Sequence, residues 1–297
     1  MNIMKLNIVV LIEKYKKVTD VAAELGLKQP TVSFHMKTLE SELGTTLFHY
    51  RSGRILLTDA GRALYQYAIK IVSLTAEAER TVKQFSSPSQ GTLELEASFI
   101  PATYILPKAL IQFMRRYPGI NNSMTVHSDG LLRERLRSRE IQMAILHTSD
   151  WQDESFNFQL IARDEPMLIF APGHPLEAIG KLTPELIASE PWIQHDVGSC
   201  LRGFADQWAA LNHIRLWNRS ELNSPETVKR LISEGDSVGI FSKTGIETEV
   251  AHGTLRYATL PGIVPESGGF VLAWRKDHIL TPLQQSFSEI LTTESIS

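Results

Sequence analysis

Residues 18–48 constrain the fold more than any other stretch. VTDVAAELGLKQPTVSFHMKTLESELGTTLF carries two helical stripes with only about three residues between them. Thr19 is placed to cap a first helix whose inner face is Val21, Ala22 and Leu25, and Gly26 supplies its C-terminal stop. Gln29-Pro30-Thr31 restarts the chain as a second helix, with Pro30 where its missing N–H costs nothing. Val32, Met36, Leu39 and Leu43 form the stripe expected to be buried. Ala22 and Ala23 are small enough to let two helices cross closely. The pattern is a helix-turn-helix.

With that stripe turned inward, the second helix presents Gln29, Thr31, Ser33, Phe34, His35 and Lys37. These side chains hydrogen-bond base edges or phosphates, and the N-terminal end of such a helix is the part that enters a major groove. Ser33 and Lys37 are assigned to phosphates, and Gln29, Thr31 and His35 to bases. Phe34 is unusual on an exposed face and suits either a thymine methyl or packing on the next segment. Arg51-Ser52-Gly53-Arg54 followed by the β-prone Ile55-Leu56-Leu57 reads as a wing, and Thr58 as the cap of the next helix.

That next helix spans residues 59–85, which lack Pro and hold one Gly, at 61. Ala63, Leu64, Tyr67, Ala68, Ile71, Leu74, Ala78 and Val82 recur at spacings of three and four. A stripe of this length on a small domain is expected to pair with a second copy of itself. Ser86-Ser87-Pro88-Ser89-Gln90-Gly91 then ends the helix and marks a boundary.

Beyond Gly91, strand-like and helical segments alternate. Strands are expected at Leu93–Ala97, Met124–Val126, Met143–Leu146, Met167–Ala171, Val238–Phe241 and Phe270–Trp274, with helices over 101–116, 130–138 and 201–211. Alternation of this kind argues for α/β sheets with helices on their faces, here in two lobes. A small molecule is expected between the lobes. Two corners there, Ser98-Phe99-Ile100-Pro101 and Gly198-Ser199-Cys200, open helices whose free N–H groups favour a carboxylate or other anion.

Composition excludes more than it assigns. The 297 residues suit two domains, and 43% hydrophobic with 21% charged residues is ordinary for a globular protein. No apolar run approaches the length of a membrane span, and the N-terminus reads as a short amphipathic helix without a cleavage site. The single cysteine, Cys200, forms no intrachain disulfide, so the cytoplasm is the expected compartment. Cys200 is read as a buried or pocket-lining thiol. Residues 1–62 hold nine Lys/Arg against six Asp/Glu, a net +3, leaving −6 on the remainder. A basic head on an acidic body fits a module that meets phosphate. No phosphate loop, nucleophile elbow or zinc helix occurs, and the nine histidines are dispersed, so neither an enzyme nor a cofactor or metal is expected.

The whole pattern resembles the LysR-type transcriptional regulators. Thr19, Ala22, Leu25, Gln29-Pro30, Val32-Ser33, Leu39-Glu40, Leu43-Gly44, Leu47-Phe48, Leu57-Thr58 and Gly61 stand at that family's spacing. The match continues more loosely through Leu106-Pro107, Phe113, Tyr117-Pro118, His174-Pro175-Leu176 and Gly239-Ile240. The resemblance implies a winged helix-turn-helix over 1–58, a linker and dimerisation helix with hinge over 59–90, and an effector-binding domain over 91–297. That last domain would be a two-lobed, type 2 periplasmic-binding-protein-like α/β fold, with one lobe of 91–163 plus 266–297 and the other of 164–265. It further implies a homo-oligomer, as a dimer or a dimer of dimers, on an inverted-repeat operator, and contact with RNA polymerase where such a regulator activates. Effector contacts are implied at Ser98-Phe99, Ser128-Asp129, Ser199-Cys200 and Asn223-Ser224. Three positions depart from the pattern: Lys28 replaces a capping Ser, Val9 an aromatic residue, and Tyr50 an Arg, for which the adjacent Arg51 is expected to substitute.

Overall fold

Helix formation begins at Asn2, whose side chain accepts a hydrogen bond from the Lys5 N–H at 3.0 Å and so caps α1 (Ile3–Tyr15). The computed structural model describes residues 1–51, 53–86, 91–149, 153–262 and 268–294. They fall into two compact units, one built on Met1–Ser86 and one on Ser87–Arg137 with Ile141–Ser297.

In the first unit α1 is central rather than amphipathic. Lys5, Leu6, Ile8, Val9, Leu11 and Ile12 are all buried, so most of its circumference is packed and only the Ile3, Met4 and Lys14 side stays exposed. Buried Lys5 reaches Glu42 at 2.7 Å, tying α1 to the end of α3 (Gln29–Leu43). Between them lies α2 (Val18–Glu24), followed by Gly26 in the left-handed region at φ +63°. Thr19 does not cap α2, because the helix starts one residue earlier. Val18 is buried as its first residue, and Lys17 stands in the cap position without a side-chain bond. Leu43 is likewise exposed instead of completing the α3 stripe, since α3's last turn runs past the core formed by Val32, Met36 and Leu39.

The expected wing is present as β1 (Phe48–Arg51) and β2 (Arg54–Leu57), an antiparallel hairpin that pairs Arg51 with Arg54. Glu40 fastens its start by accepting the N–H groups of Leu47 and Phe48 at 2.8 and 3.1 Å. Thr58 caps α4 (Asp59–Ser86), accepting the Gly61 N–H at 3.0 Å. Gly61 has no alternative here, for a Cβ would lie 2.2 Å from the Leu47 carbonyl oxygen. Along α4, Ala68 is buried and Leu64 half-buried against the first unit's core, whereas Tyr67, Ile71 and Leu74 remain exposed. The expected joint at 87–90 lies outside the described residues.

The second unit opens with β3 (Gly91–Ala97), α5 (Phe99–Tyr104), α6 (Leu106–Arg116), β4 (Ile120–Val126), α7 (Asp129–Arg137), β5 (Met143–Thr148) and β6 (Phe156–Asp164). A single helix over 101–116 does not form, because Pro107 has no N–H to give to the preceding turn and the chain breaks at Ile105. After β6 the chain enters a second lobe with β7 (Pro166–Phe170), α8 (Pro184–Ser189), β8 (Pro191–His195), α9 (Cys200–Leu211), β9 (Trp217–Leu222), α10 (Pro225–Glu234), β10 (Gly239–Ser242), α11 (Glu247–Ala251) and β11 (Arg256–Thr259). It returns as β12 (Gly268–Arg275) and ends in α12 (Pro282–Glu294).

The first lobe's sheet has the order β4-β3-β5-β12-β6, with β3 parallel to β4 and β5, and β12 antiparallel to both β5 and β6. In the second lobe β7 pairs antiparallel with β10 and β11, β8 lies parallel to β9, and a Trp192–Val238 bridge joins the two pairs. This is the two-lobed α/β architecture, and Ser98, His147, Asp164 and His195 stand at the ends of its strands.

Candidate functional site

Two places carry chemistry, one in each unit. The first is the outer face of α3. Lys28, Gln29, Pro30, Thr31, Phe34 and Lys37 are exposed there, and Ser33 and His35 are half-buried. Phe34 is 66% exposed, and its ring meets only the edge of His35, at 6.0 Å. It therefore does not pack on the following segment. Thr19 is exposed on α2, with its hydroxyl 3.0 Å from Asp20, and Arg51 and Arg54 are exposed at the wing's tip. Lys28 occupies the cap position of α3 and gives no side-chain bond. The missing cap costs little. Pro30 removes one of the donors a cap would satisfy, and the Thr31 and Val32 N–H groups bond the Lys28 carbonyl at 3.0 and 3.3 Å.

The second place lies between the lobes. Ser98, at the end of β3, is buried, and its hydroxyl accepts the His147 N–H at 2.9 Å. Asp129 starts α7 and bridges the lobes. One carboxylate oxygen accepts the His147 N–H at 3.0 Å, and the other accepts the Cys200 N–H at 3.2 Å. A carboxylate of the chain itself thus stands at the start of α9. Burial pushes the Asp129 carboxyl above its ordinary range, only partly offset by His147, Ser98 and the two backbone donors.

Around this contact the lobes touch. A Cβ on Gly198 would lie 3.0 Å from the Ser128 hydroxyl. Ser199 caps α9 by accepting the Leu201 N–H at 3.2 Å. Burial, with Asp129 and Asp164 nearby, drives the half-buried Cys200 thiol well above its usual pKa, so it remains protonated. Phe99 is half-buried at the start of α5. Ser224 caps α10 through the Thr227 N–H at 3.4 Å, and Asn223 beside it is exposed.

Several residues at this rim were not anticipated from the sequence. His147 and Asp164, both buried, pair at 2.9 Å. Asp164 also accepts the hydroxyls of Ser242 at 2.8 Å and Thr244 at 3.2 Å. Burial works to raise its carboxyl, but these partners hold it below the usual range. The His147 ring lies 4.9 Å from Phe270 and 6.2 Å from Phe204 of the facing lobe. Tyr104 of the first lobe also meets Phe241, Glu226 and Lys229 of the second. The available signal was positional: His147 follows an apolar strand run, and Asp164 stands where the chain crosses between lobes. Among the described residues no cluster of His, Cys, Asp and Glu could hold a metal ion, and no helix is long and apolar enough to cross a membrane.

Residues 3–62 match the bacterial regulatory helix-turn-helix protein family of the lysR type, and residues 86–295 match the LysR substrate binding domain. The chain belongs to the LysR family of transcriptional regulators. Among its relatives, a probable RuBisCO transcriptional regulator of Phaeodactylum tricornutum is 28% identical over 266 residues, covering 88% of this chain and 87% of the relative. Full-length CbnR complexed with its target DNA has the same fold, with a TM-score of 0.66 and 18% identity over 99% of this chain and 100% of that one. The regulatory domain of Synechocystis PCC6803 CcmR in complex with 2-PG gives a TM-score of 0.63 and 24% identity, over 69% of this chain and 98% of that one. Like other LysR-type regulators, the chain joins a DNA-binding helix-turn-helix to an effector-binding domain.

Proposed function

We propose that this LysR-type regulator binds an inverted-repeat operator as a homo-oligomer and changes its geometry there when a small molecule binds between the sensor lobes. Residues 1–58 read the operator, residues 59–90 join two copies, and residues 91–297 sense the effector. The observation that carries the DNA reading is the outer face of α3, where Gln29, Thr31 and Lys37 stand exposed beside a Phe34 ring that nothing covers. Gln29, Thr31 and His35 contact base edges, Phe34 a thymine methyl, and Thr19, Lys28, Pro30, Ser33, Lys37, Arg51 and Arg54 line the phosphates on either side. The exposed Tyr67, Ile71 and Leu74 of α4 supply the apolar face for a second copy, as a dimer or a dimer of dimers. Where the oligomer activates, it presents a surface to RNA polymerase.

The effector reading rests on the rim between the lobes, where Asp129 of the first lobe holds the Cys200 N–H of the second and Ser128 lies against Gly198; Ser98, Phe99, Ser199, Asn223 and Ser224 are assigned to the same site. The 2-PG-bound neighbour supports small-molecule binding by a domain of this fold. A ligand that touches both lobes shifts their equilibrium by its difference in affinity for the two arrangements. The test is to recover genomic fragments retained by the full-length protein and measure their affinity with and without candidate effectors. The reading expects an inverted repeat whose retention changes with one effector, and loses that response in a Ser98→Trp, Ser199→Trp double variant. Retention of fragments without a shared repeat would overturn the operator reading, and an unaltered response in the double variant the placement of the effector.

A further inference from the structure

We propose that Asp129 sets the charge of the effector: its carboxylate already fills the anion position between the lobes, so the cleft takes a neutral or cationic, donor-bearing molecule and excludes carboxylates from that corner. This inference rests on the interlobe cleft being the sensing site.

Three observations carry it. Three of the donors a carboxylate ligand would need at the start of α9 are already used. The Cys200 N–H goes to Asp129, the Leu201 N–H to the Ser199 hydroxyl, and the Gly203 N–H to the Ser199 carbonyl. The His147 N–H is shared between Ser98 and Asp129. Space is also spent, because Gly198 and Ser128 already touch so closely that even a Cβ would crowd them. Charge gives the third. A second carboxylate beside Asp129 would be repelled at short range in a site shielded from water, whereas a donor or cation is attracted to it. Burial raises the Asp129 carboxyl, and a donor or cation beside it would favour the charged form that burial opposes. Beside this corner the buried His147 ring keeps an Nδ1 without a hydrogen-bond partner. A neutral ligand carrying hydroxyl or amide groups could satisfy it, and burial without a partner is otherwise costly.

The experiment uses the full-length chain, with sodium formate as the probe against sodium chloride at equal ionic strength. Two readouts are followed, the thermal midpoint and the rate at which iodoacetamide alkylates Cys200. In the native chain formate should change neither. In Asp129→Ala the Cys200 rate should rise about tenfold, as a charge-assisted bridge between the lobes is lost, and the midpoint should fall. Formate should reverse both, entering the vacated position. In Gly198→Leu the lobes are wedged apart with the carboxylate retained, so alkylation should quicken without any response to formate. Should Asp129→Ala fail to fold, Asp129→Ser is read in the same way.

Stabilisation of the native chain by formate, or an Asp129 variant indifferent to it, would overturn the proposal. A carboxylate effector that binds the native chain and is lost in the Ser98→Trp, Ser199→Trp variant would leave the cleft reading standing while removing this one. Formate rescue of Asp129→Ala, with no ligand bound between the lobes of the native chain, would do the reverse.

Discussion

The ammonium group of Lys229 lies 2.7 Å from the hydroxyl of Tyr104, with one residue on each lobe of the sensor. Lys229 is only 5% exposed, and it also reaches the Gly245 carbonyl at 3.0 Å and Glu249 at 2.6 Å. Its charge sits 4.9 Å from the Tyr104 ring and 5.4 Å from that of Phe241. A buried cation held this way links the two lobes at a second point besides the Asp129–Cys200 contact.

Lys229→Met should therefore destabilise the protein by about 3 kcal/mol, because Glu249 is left beside apolar groups without its counter-charge. Tyr104→Phe should cost about 2 kcal/mol, since its hydroxyl both donates to Glu226 and accepts from Lys229. Urea unfolding of the two variants and their double variant measures this. Costs that simply add would show that the two residues do not act together.

Acid should weaken the sensor through His195. Burial, with His147 nearby, lowers its pKa from 6.5 to about 4, although its hydrogen bond to the Ile240 carbonyl works the other way. The neutral ring is the form that fits the fold, so the unfolded chain binds the extra proton first. Its contribution is intact above pH 6.5 and is lost as pH falls towards 4, by about 3 kcal/mol in all. Denaturation midpoints across that window should decline in the native chain and flatten in His195→Gln.

Gly61→Ala should unfold or severely weaken the first unit. The added carbon meets the Leu47 carbonyl oxygen, which is backbone and cannot rotate away. A loss of about 3 kcal/mol is expected, read as lower helical signal and lower operator affinity together. Gly53→Ala at the wing meets nothing within 4 Å and should disturb the fold only through its positive φ.

On DNA, Lys37→Ala should weaken binding to all sequences alike and reduce the salt slope by about one. Gln29→Ala should instead relax base preference at one position by about 1–3 kcal/mol. Titrations of operator and scrambled duplexes at several salt concentrations separate the two effects. Equal loss on both duplexes for Gln29→Ala would remove it from base recognition.

Ile71→Glu and Leu74→Glu should lower oligomer size and operator affinity in parallel. A monomer holds one half-site and loses the gain from engaging both. Sedimentation equilibrium beside DNA titration tests this, and variants that stay oligomeric with normal affinity would remove α4 as the contact.

What the sequence made legible follows periodicity. The helix-turn-helix, the wing, the Thr58 cap and the long helix were readable because each is local, and local rules decide it. Thr19 failed as a cap because burial of Val18 outweighed capping chemistry, and Leu43 failed because it is exposed where α3 runs past the core that Val32, Met36 and Leu39 join. In the sensor, β9 was missed since Trp217–Leu222 is mostly polar and exposed. The helix break at Ile105 was overlooked beside Pro107. The reach of Asp129 to Cys200, 71 positions later, is a tertiary fact that spacing does not encode. Tyr104 and Lys229 are separated by 125 positions and escaped notice for the same reason.

The place of β12 has a consequence for how the protein is made. It lies between β5 and β6, so the first lobe's sheet cannot close until residues 268–275 have left the ribosome. Every strand of the second lobe lies between Pro166 and Thr259 and emerges earlier, so that lobe is free to fold while β5 and β6 wait with open edges. A chain cut short by a stop codon just before residue 268 would still carry a complete helix-turn-helix and every strand of the second lobe. It would also carry two buried-type strands with no partner between them, the kind of edge that recruits other chains. Such a truncation should therefore accumulate as aggregate rather than act as a regulator freed from its effector.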